Sequence, residues 1–463
     1  MTLTVPPRAT SSRLDGLPVA VIGAGPVGLA AAAHLLERGL DVVVFEAGER
    51  AGSAVAAWGH VRLFSPWTYL LDPAAVRLLA ATGWTAPAGD RSPTGSEFLD
   101  SYLGPLARTS TLEPLIRLGC RVTAVSRQGM DRTRSTGRGD TPFLLRVDGD
   151  GTPTDVLARA VIDTSGTFHS PNPLTASGLE PSITTKRIVT GLPDVLGSDR
   201  PRFAGRRVLV VGAGHSAANA LLALGELARA EPGTRVTWAV RNPTAARVFT
   251  AADDRLPDRA SIGRRLDGLV SSGAVALVDR FEIDAVEEHV ERTGEPSTGF
   301  IRATGRRAGA PFAIEADVIV NATGFRPDLD LLREIRLGLD DIVEAPRALA
   351  SLIDPNLHSC GTVPPHGVAE LTHPEPDFFI AGMKSYGRAP TFLLATGYEQ
   401  VRSIADELAG HHDAARVVHL SLPATGVCST APADDATTDS TRSDAGCCTT
   451  SSPVPTTAAS CCR

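Results

Sequence analysis

The sequence predicts an α/β protein with two Rossmann-like units, the second inserted in the first, and a tail that joins neither. Three observations carry this. Two glycine-rich turns, Gly23-Ala24-Gly25-Pro26-Val27-Gly28 and Gly212-Ala213-Gly214-His215-Ser216-Ala217, each follow an apolar run and precede an alanine- and leucine-rich stretch. Each half then closes a later apolar strand on a similar turn, Asp163-Thr164-Ser165-Gly166 and Asn321-Ala322-Thr323-Gly324. From Ala424 onward the chain turns to Thr, Ser, Ala, Asp and Pro with almost no large apolar residue.

Taken in order, Val19 to Ile22 reads as a strand, the first glycine turn follows, and a helix leads to the β-branched run Val42 to Phe45. Such continuous apolar runs suit strands of a parallel sheet buried on both faces. Residues Ala51 to Tyr102 are mixed and rich in Gly, Pro and Trp, and Pro142 to Val147 and Val156 to Ile162 are further strands. The second half repeats the plan: strand Val208 to Val211, a helix through about Ala228, strand Arg235 to Val240, and strand Ala316 to Val320. Glycine turn and strand-end turn recur in the same order, which reads as a diverged internal duplication. Beyond it, Phe378-Phe379-Ile380-Ala381-Gly382 is another strand and turn, and Thr391 to Leu408 a helix. This last segment is expected to return to the first unit. The division is 15–200 and 326–422 for the first unit, 201–325 for the second and 423–463 for the tail. That tail cannot bury enough surface to offset its ordering entropy and reads as disordered.

At 463 residues, 43% apolar, the chain has the size and composition of a soluble protein of two or three domains. Its net charge of −7 argues against nucleic acid or an anionic membrane as a partner. Met1 to Asp15 holds no signal-like apolar stretch and no run is long enough to span a bilayer, so the cytoplasm is the expected location. Cys120 and Cys360 lie in the body, whereas Cys428, Cys447, Cys448, Cys461 and Cys462 lie in the tail. Body thiols this sparse fit a reducing compartment.

In the first turn Gly23 permits the tight bend, Gly25 lets backbone approach a pyrophosphate, and Gly28 allows close helix–strand packing. Glu46 ends the next strand, where a carboxylate can accept both ribose hydroxyls. The second turn has Gly212 and Gly214, with Ala217 in place of a third glycine. There the strand-end residue is Arg241, whose guanidinium can pair with a 2′-phosphate and so favours NADP; Arg247 is a weaker alternative. Two dinucleotides in one chain point to electron transfer between them.

Other residues leave alternatives open. Cys360, near His366, Glu370 and His373, forms either a thiol–imidazole site, a metal site, or a loop cysteine among surface histidines; the spacing matches no standard zinc pattern. Asp163 and Asn321 read as backbone-anchoring strand ends. Lys384, Tyr386 and Arg388 either present cations to a flavin ring or belong to a solvated loop. The pairs Cys447-Cys448 and Cys461-Cys462 either capture a thiophilic metalloid, shuttle electrons, or have no function.

These motifs resemble the two-dinucleotide flavoproteins, and their order, ending in Ala322-Thr323-Gly324-Phe325-Arg326-Pro327-Asp328, is similar to that of flavin-containing monooxygenases. The segment Gly382 to Phe392 is closer still to flavin monooxygenases of actinobacterial arsenic-resistance clusters. The resemblance covers about Pro18 to Gly410. It implies FAD on the first turn and NADPH on the second, with Gly166, Gly324, Gly382 and Thr391 as further cofactor-binding residues. It further implies that NADPH reduces the flavin and that O2 then gives a flavin hydroperoxide, whose distal oxygen passes to sulfur, nitrogen or a trivalent arsenical. The chain departs from that family in three places. Arg187 to Pro193 lacks the Phe-x-Gly-x-x-x-His signature, Ser65-Pro66 replaces a Ser-Asn step, and Met383 stands where related reductases carry Asp.

The leading expectation is therefore an FAD- and NADPH-dependent monooxygenase of a small soft substrate. Its rivals are an NADPH-dependent disulfide or metalloid reductase using the tail cysteines, and a non-catalytic metalloid-binding flavoprotein. No Cys-x-x-Cys occurs in the body. The oligomeric state is open, a homodimer being one option.

Overall fold

Two parallel sheets organise the chain, and each is buried on both faces. The computed structural model describes residues 13–149, 151–181, 183, 185–244, 257–290, 299–354, 363–389 and 392–420, without the side chains of 257–261 and 290. Arg247, Cys360, Thr391, Cys428, Cys447, Cys448, Cys461, Cys462 and the whole of 423–463 lie outside the described residues.

The chain opens with strand β1 (Val19–Ile22), helix α1 (Pro26–Glu37), β2 (Val42–Phe45) and β3 (Ile116–Arg117). An antiparallel meander, β4 (Arg121–Arg127), β5 (Phe143–Asp148) and β6 (Pro153–Ala158), leads to β7 (Ala160–Asp163). The second half runs β8 (Ile188–Thr190), β9 (Arg207–Val211), helix α2 (His215–Ala230), β10 (Arg235–Ala239) and β11 (Val275–Val278). Its own meander, β12 (Phe281–Val290), β13 (Gly299–Arg307) and β14 (Ala310–Ala316), leads to β15 (Val318–Asn321). Strand β16 (Phe378–Ile380) and helix α3 (Leu394–Leu408) follow.

The first sheet has the order β16-β7-β1-β2-β3 and the second β8-β15-β9-β10-β11, all parallel. The strands of the second sheet therefore sit in the sequence between β7 and β16 of the first. The outermost strand differs in origin, β16 arriving last in the first half and β8 arriving first in the second.

Alternation along the central strands shows why they are apolar throughout. Val19 and Val21 pack into the helix-side core with α1, while Ala20 and Ile22 pack into the core beneath the first meander. Val208 and Val210 face α2 and Leu209 and Val211 face the second meander in the same way. With both faces covered there is no polar face to betray the period. Helix α1 starts with Pro26, whose missing N–H is not needed there, and ends ahead of left-handed Gly39. Its run Ala30 to Ala33 is fully buried.

The sequence reading joined two pairs of strands that the structure separates. Val156 to Ile162 breaks at Arg159, whose amide donates to Pro18 O, and the chain passes there from the meander into the parallel sheet. Ala316 to Val320 breaks identically at Asp317, whose amide donates to Arg207 O. Among the described residues no helix is long and apolar enough to cross a membrane.

Candidate functional site

The first glycine turn leaves β1 where its Gly23 amide donates to Phe45 O. Gly23 has φ +98°, and a Cβ there would lie 3.0 Å from Thr164 O and from Ser165 Cα at the end of β7. A Cβ on Gly28 would collide with the Gly23 carbonyl oxygen, so α1 can approach the turn only without it. A Cβ on Gly25 would meet nothing within 4 Å. The middle glycine is thus the open one, and it caps an α1 that has neither a side-chain cap nor an acid in its first turn. Uncapped amides and the positive dipole end give this place the character of an anion site.

Glu46, directly after β2, closes one side of that place. Its Oε2 accepts the Ala24 amide and its Oε1 the Gly48 amide, both at 2.8 Å. Each carboxylate oxygen keeps a second lone pair, as acceptance from two ribose hydroxyls requires. Gly166, with φ +71°, follows the β7 end on the same rim.

The second turn repeats these relations. Gly212 has φ +134° and a Cβ on it would collide with Ala322 O beyond β15, while Gly214 faces open space. Ala217 is fully buried, and α2 has no side-chain cap and no acid in its first turn. The Trp238 indole donates to Gly212 O at 2.7 Å and holds the turn from β10. Register sharpens the reading of the strand end. Ile22 stands beside Phe45 and Val211 beside Ala239, so the counterpart of Glu46 is Val240, not Arg241. Val240 is buried and accepts no ribose hydroxyl; Arg241, one residue on, is exposed and makes no ion pair among the described residues.

The two strand-end turns hold their loops with side chains, as the anchoring reading expected. Asp163 Oδ1 accepts the Ser165 amide at 3.0 Å, and Asn321 Oδ1 accepts the Thr323 amide at 3.2 Å. Asn321 also donates to Asn172 O at 2.9 Å, and Gly324 sits beside the Asn172 amide.

The turn after β16 reaches back to the first site. A Cβ on Gly382 would lie 3.3 Å from a Val27 methyl, and one on Gly397 2.8 Å from it, so this turn and α3 both press on the first turn of α1. Gln400 of α3 organises the turn: its Oε1 accepts the Gly382 amide at 2.8 Å and its Nε2 donates to Ser385 Oγ at 3.0 Å. The same Nε2 donates to His366 Nε2 at 2.8 Å, which leaves Nδ1 as the protonated nitrogen, donating to Pro364 O. Burial pushes His366 below the usual imidazole range.

The loop cations have partners. Lys384 Nζ lies 2.6 Å from Asp163 Oδ2 and 3.1 Å from Ser165 Oγ, wholly buried. Arg388 forms an exposed pair with Glu344 at 2.8 Å, which holds its guanidinium above the ordinary range. The residues near Cys360 also disperse. Glu370 accepts the Gly367 amide, and His373 Nδ1 accepts the Gly338 amide. Among the described residues no group of three His, Cys, Asp or Glu could hold a metal.

Gln400, Thr164 and Phe64 were not singled out by sequence. Thr164 Oγ1 donates to Ile22 O at 2.9 Å beneath the first turn, and the Phe64 ring lies against His215. A lone Gln or Thr carries no motif of its own.

Residues 20–346 match the family described as pyridine nucleotide-disulphide oxidoreductase. The fold is also that of several solved structures. The bacillithiol disulfide reductase of Bacillus cereus is 21% identical with a TM-score of 0.61, covering 86% of this chain and 99% of its own. The cadaverine monooxygenase of Erwinia amylovora, bound to FAD, is 14% identical with a TM-score of 0.58, covering 88% and 98%. The ornithine N-hydroxylase of Kutzneria sp. 744, with reduced FAD, NADP+ and L-ornithine, is 17% identical with a TM-score of 0.55, covering 86% and 99%.

Proposed function

Because this chain belongs to the pyridine nucleotide-disulphide oxidoreductase family, we propose that it is an FAD- and NADPH-dependent monooxygenase of a small soft nucleophile. The observation that carries the cofactor assignment is the pair of glycine turns, alike in geometry and different in strand-end chemistry. A carboxylate with spare lone pairs suits the ribose of FAD, and an exposed guanidinium beyond a buried valine suits the 2′-phosphate of NADPH.

Flavin, when bound, supplies a place for two electrons taken from NADPH and passed to O2, one oxygen atom going to substrate and the other leaving as water. The protein's share is placement. Gly25 and the α1 terminus receive one pyrophosphate, Gly214 and the α2 terminus the other, and the Gln400–Ser385–His366 set fixes the Gly382 turn against α1. Lys384 serves Asp163 and holds no substrate proton. The same reading assigns 15–200 and 326–422 to FAD and 201–325 to NADPH, with β8 joining the second sheet from just ahead of that boundary. It also places the enzyme in the cytoplasm.

Oxygenation is favoured over disulfide reduction because the body has no Cys-x-x-Cys and Cys120, beside the Glu46 backbone, has no second thiol near it among the described residues. The test is NADPH-dependent bleaching of bound flavin without oxygen, followed by O2 and a thiol, an amine or arsenite as alternative substrates. One oxygenated product per NADPH supports the reading. Disulfide reduction without O2, abolished by replacing Cys447, Cys448, Cys461 and Cys462 with serine, overturns it in favour of a reductase.

A further inference from the structure

Hydride transfer needs its donor and acceptor atoms about 3–3.5 Å apart, and a misplacement of about 1 Å costs on the order of 10²-fold in rate. Here the two proposed nucleotide sites stand on separate sheets, so contacts between the halves decide that distance. One such contact lies at the second glycine turn. His215 is the first residue of α2, next to open Gly214, and its ring packs on Phe64 with centroids 4.9 Å apart and planes at 52°.

Phe64 comes from the stretch between β2 and β3, which belongs to the first half, yet it packs against the core of the second sheet. Its own backbone is tied down on the first half. The Leu63 amide donates to Pro93 O, the Gly95 amide to Val61 O and the Trp67 amide to Arg91 O, and Trp67 is fully buried in the first core. Phe64 is therefore a ring carried by one half and seated on the residue that starts the phosphate-facing helix of the other.

The geometry points to Phe64 and His215 as a pair of positioning residues that set how the dinucleotide on the second turn approaches the one on the first. This inference rests on the FAD and NADPH reading. The contact is that of the two rings, which a phenylalanine at position 215 would keep.

Stopped-flow reduction of the FAD-loaded protein by NADPH tests it, with NADPH binding and FAD content measured on the same samples. F64A and H215A should each slow flavin reduction at saturating NADPH by about 10- to 100-fold, while NADPH affinity moves less than about 10-fold and FAD content stays unchanged. H215F, which keeps a ring, should reduce within about 3-fold of the parent, and F64A/H215A should be no slower than either single variant. If F64A fails to load FAD, F64Y and the His215 variants carry the comparison. Parent flavin bleached by NADPH with H215A as fast as the parent overturns the inference alone. H215F as slow as H215A overturns the ring argument. Parent flavin that NADPH does not bleach overturns both this inference and the cofactor reading.

Discussion

Lys384 Nζ sits 2.6 Å from Asp163 Oδ2, and neither side chain has any exposed surface. The pair ties the turn after β16 to the end of β7, two strands that lie side by side in the first sheet. Ser165 completes it, donating its amide to Asp163 Oδ1 and accepting from Lys384 through Oγ. Removing one member of a buried pair strands the other charge, typically at about 3–5 kcal/mol. K384M should therefore lower unfolding free energy by about that much in urea denaturation, and purified protein should carry less FAD. The double variant D163N/K384M should recover a large part of the loss, because no uncompensated charge remains. A K384M protein as stable as the parent would show that Asp163 needs no cation.

Glu46 accepts the Ala24 amide of the first turn and the Gly48 amide of the loop after β2, so its removal loosens both as well as the ribose contact. Hydrogen bonds to a charged group contribute about 1.5–3 kcal/mol. E46A should weaken FAD binding by about 10- to 100-fold in flavin-fluorescence titrations of apoprotein. E46Q, which can still accept, should lose less. NADPH affinity should not change in either variant.

Arg241 gives a separable outcome, because it stands at the other turn and is exposed beyond β10. A guanidinium paired with a 2′-phosphate discriminates NADPH from NADH and contributes little to what the two share. R241A should raise KM for NADPH by about 10- to 100-fold, leave KM for NADH within about 2-fold, and spare kcat. Equal loss with both cofactors would remove Arg241 from the phosphate site.

What sequence revealed and what it hid divide along physical lines. Gly23 and Gly212 were legible because their positive φ and close neighbours exclude a side chain, so the backbone itself dictates the residue. The duplicated Asp163 and Asn321 turns were legible for a similar reason, each needing a short acceptor two residues before an amide. Arg241 was placed one position early because a strand buried on both faces has no alternation to mark its end, and only the pairing of Val211 with Ala239 resolves it. Strand β8 escaped because three residues carry no period. Lys384 with Asp163, Gln400 with His366, and Phe64 with His215 join residues far apart in the chain, and no local pattern selects such partners.

Two imidazoles, buried His366 and half-buried His373, predict how the fold responds to acid. Burial pushes His373 down to about 4, and His366, held between Pro364 O and Gln400, is also lowered by burial. The unfolded chain protonates these groups near the ordinary value of about 6.5, so below that pH it binds protons that the folded chain refuses. Their contribution is therefore complete above about pH 6.5 and is lost as pH falls toward 4, by about 1–3 kcal/mol for His373. Carboxylates held low by arginine partners, such as Glu375 between Arg127 and Arg138, add losses only below their unfolded value of about 4.3. Urea midpoints should hold from pH 7.5 to about 6.5 and fall from there to pH 5, and H373Q should flatten that fall. A slope unchanged in H373Q would assign the acid sensitivity elsewhere, with His366 and Gln400 the next pair to test, since H366Q would also disturb the Gly382 turn and so register in FAD content.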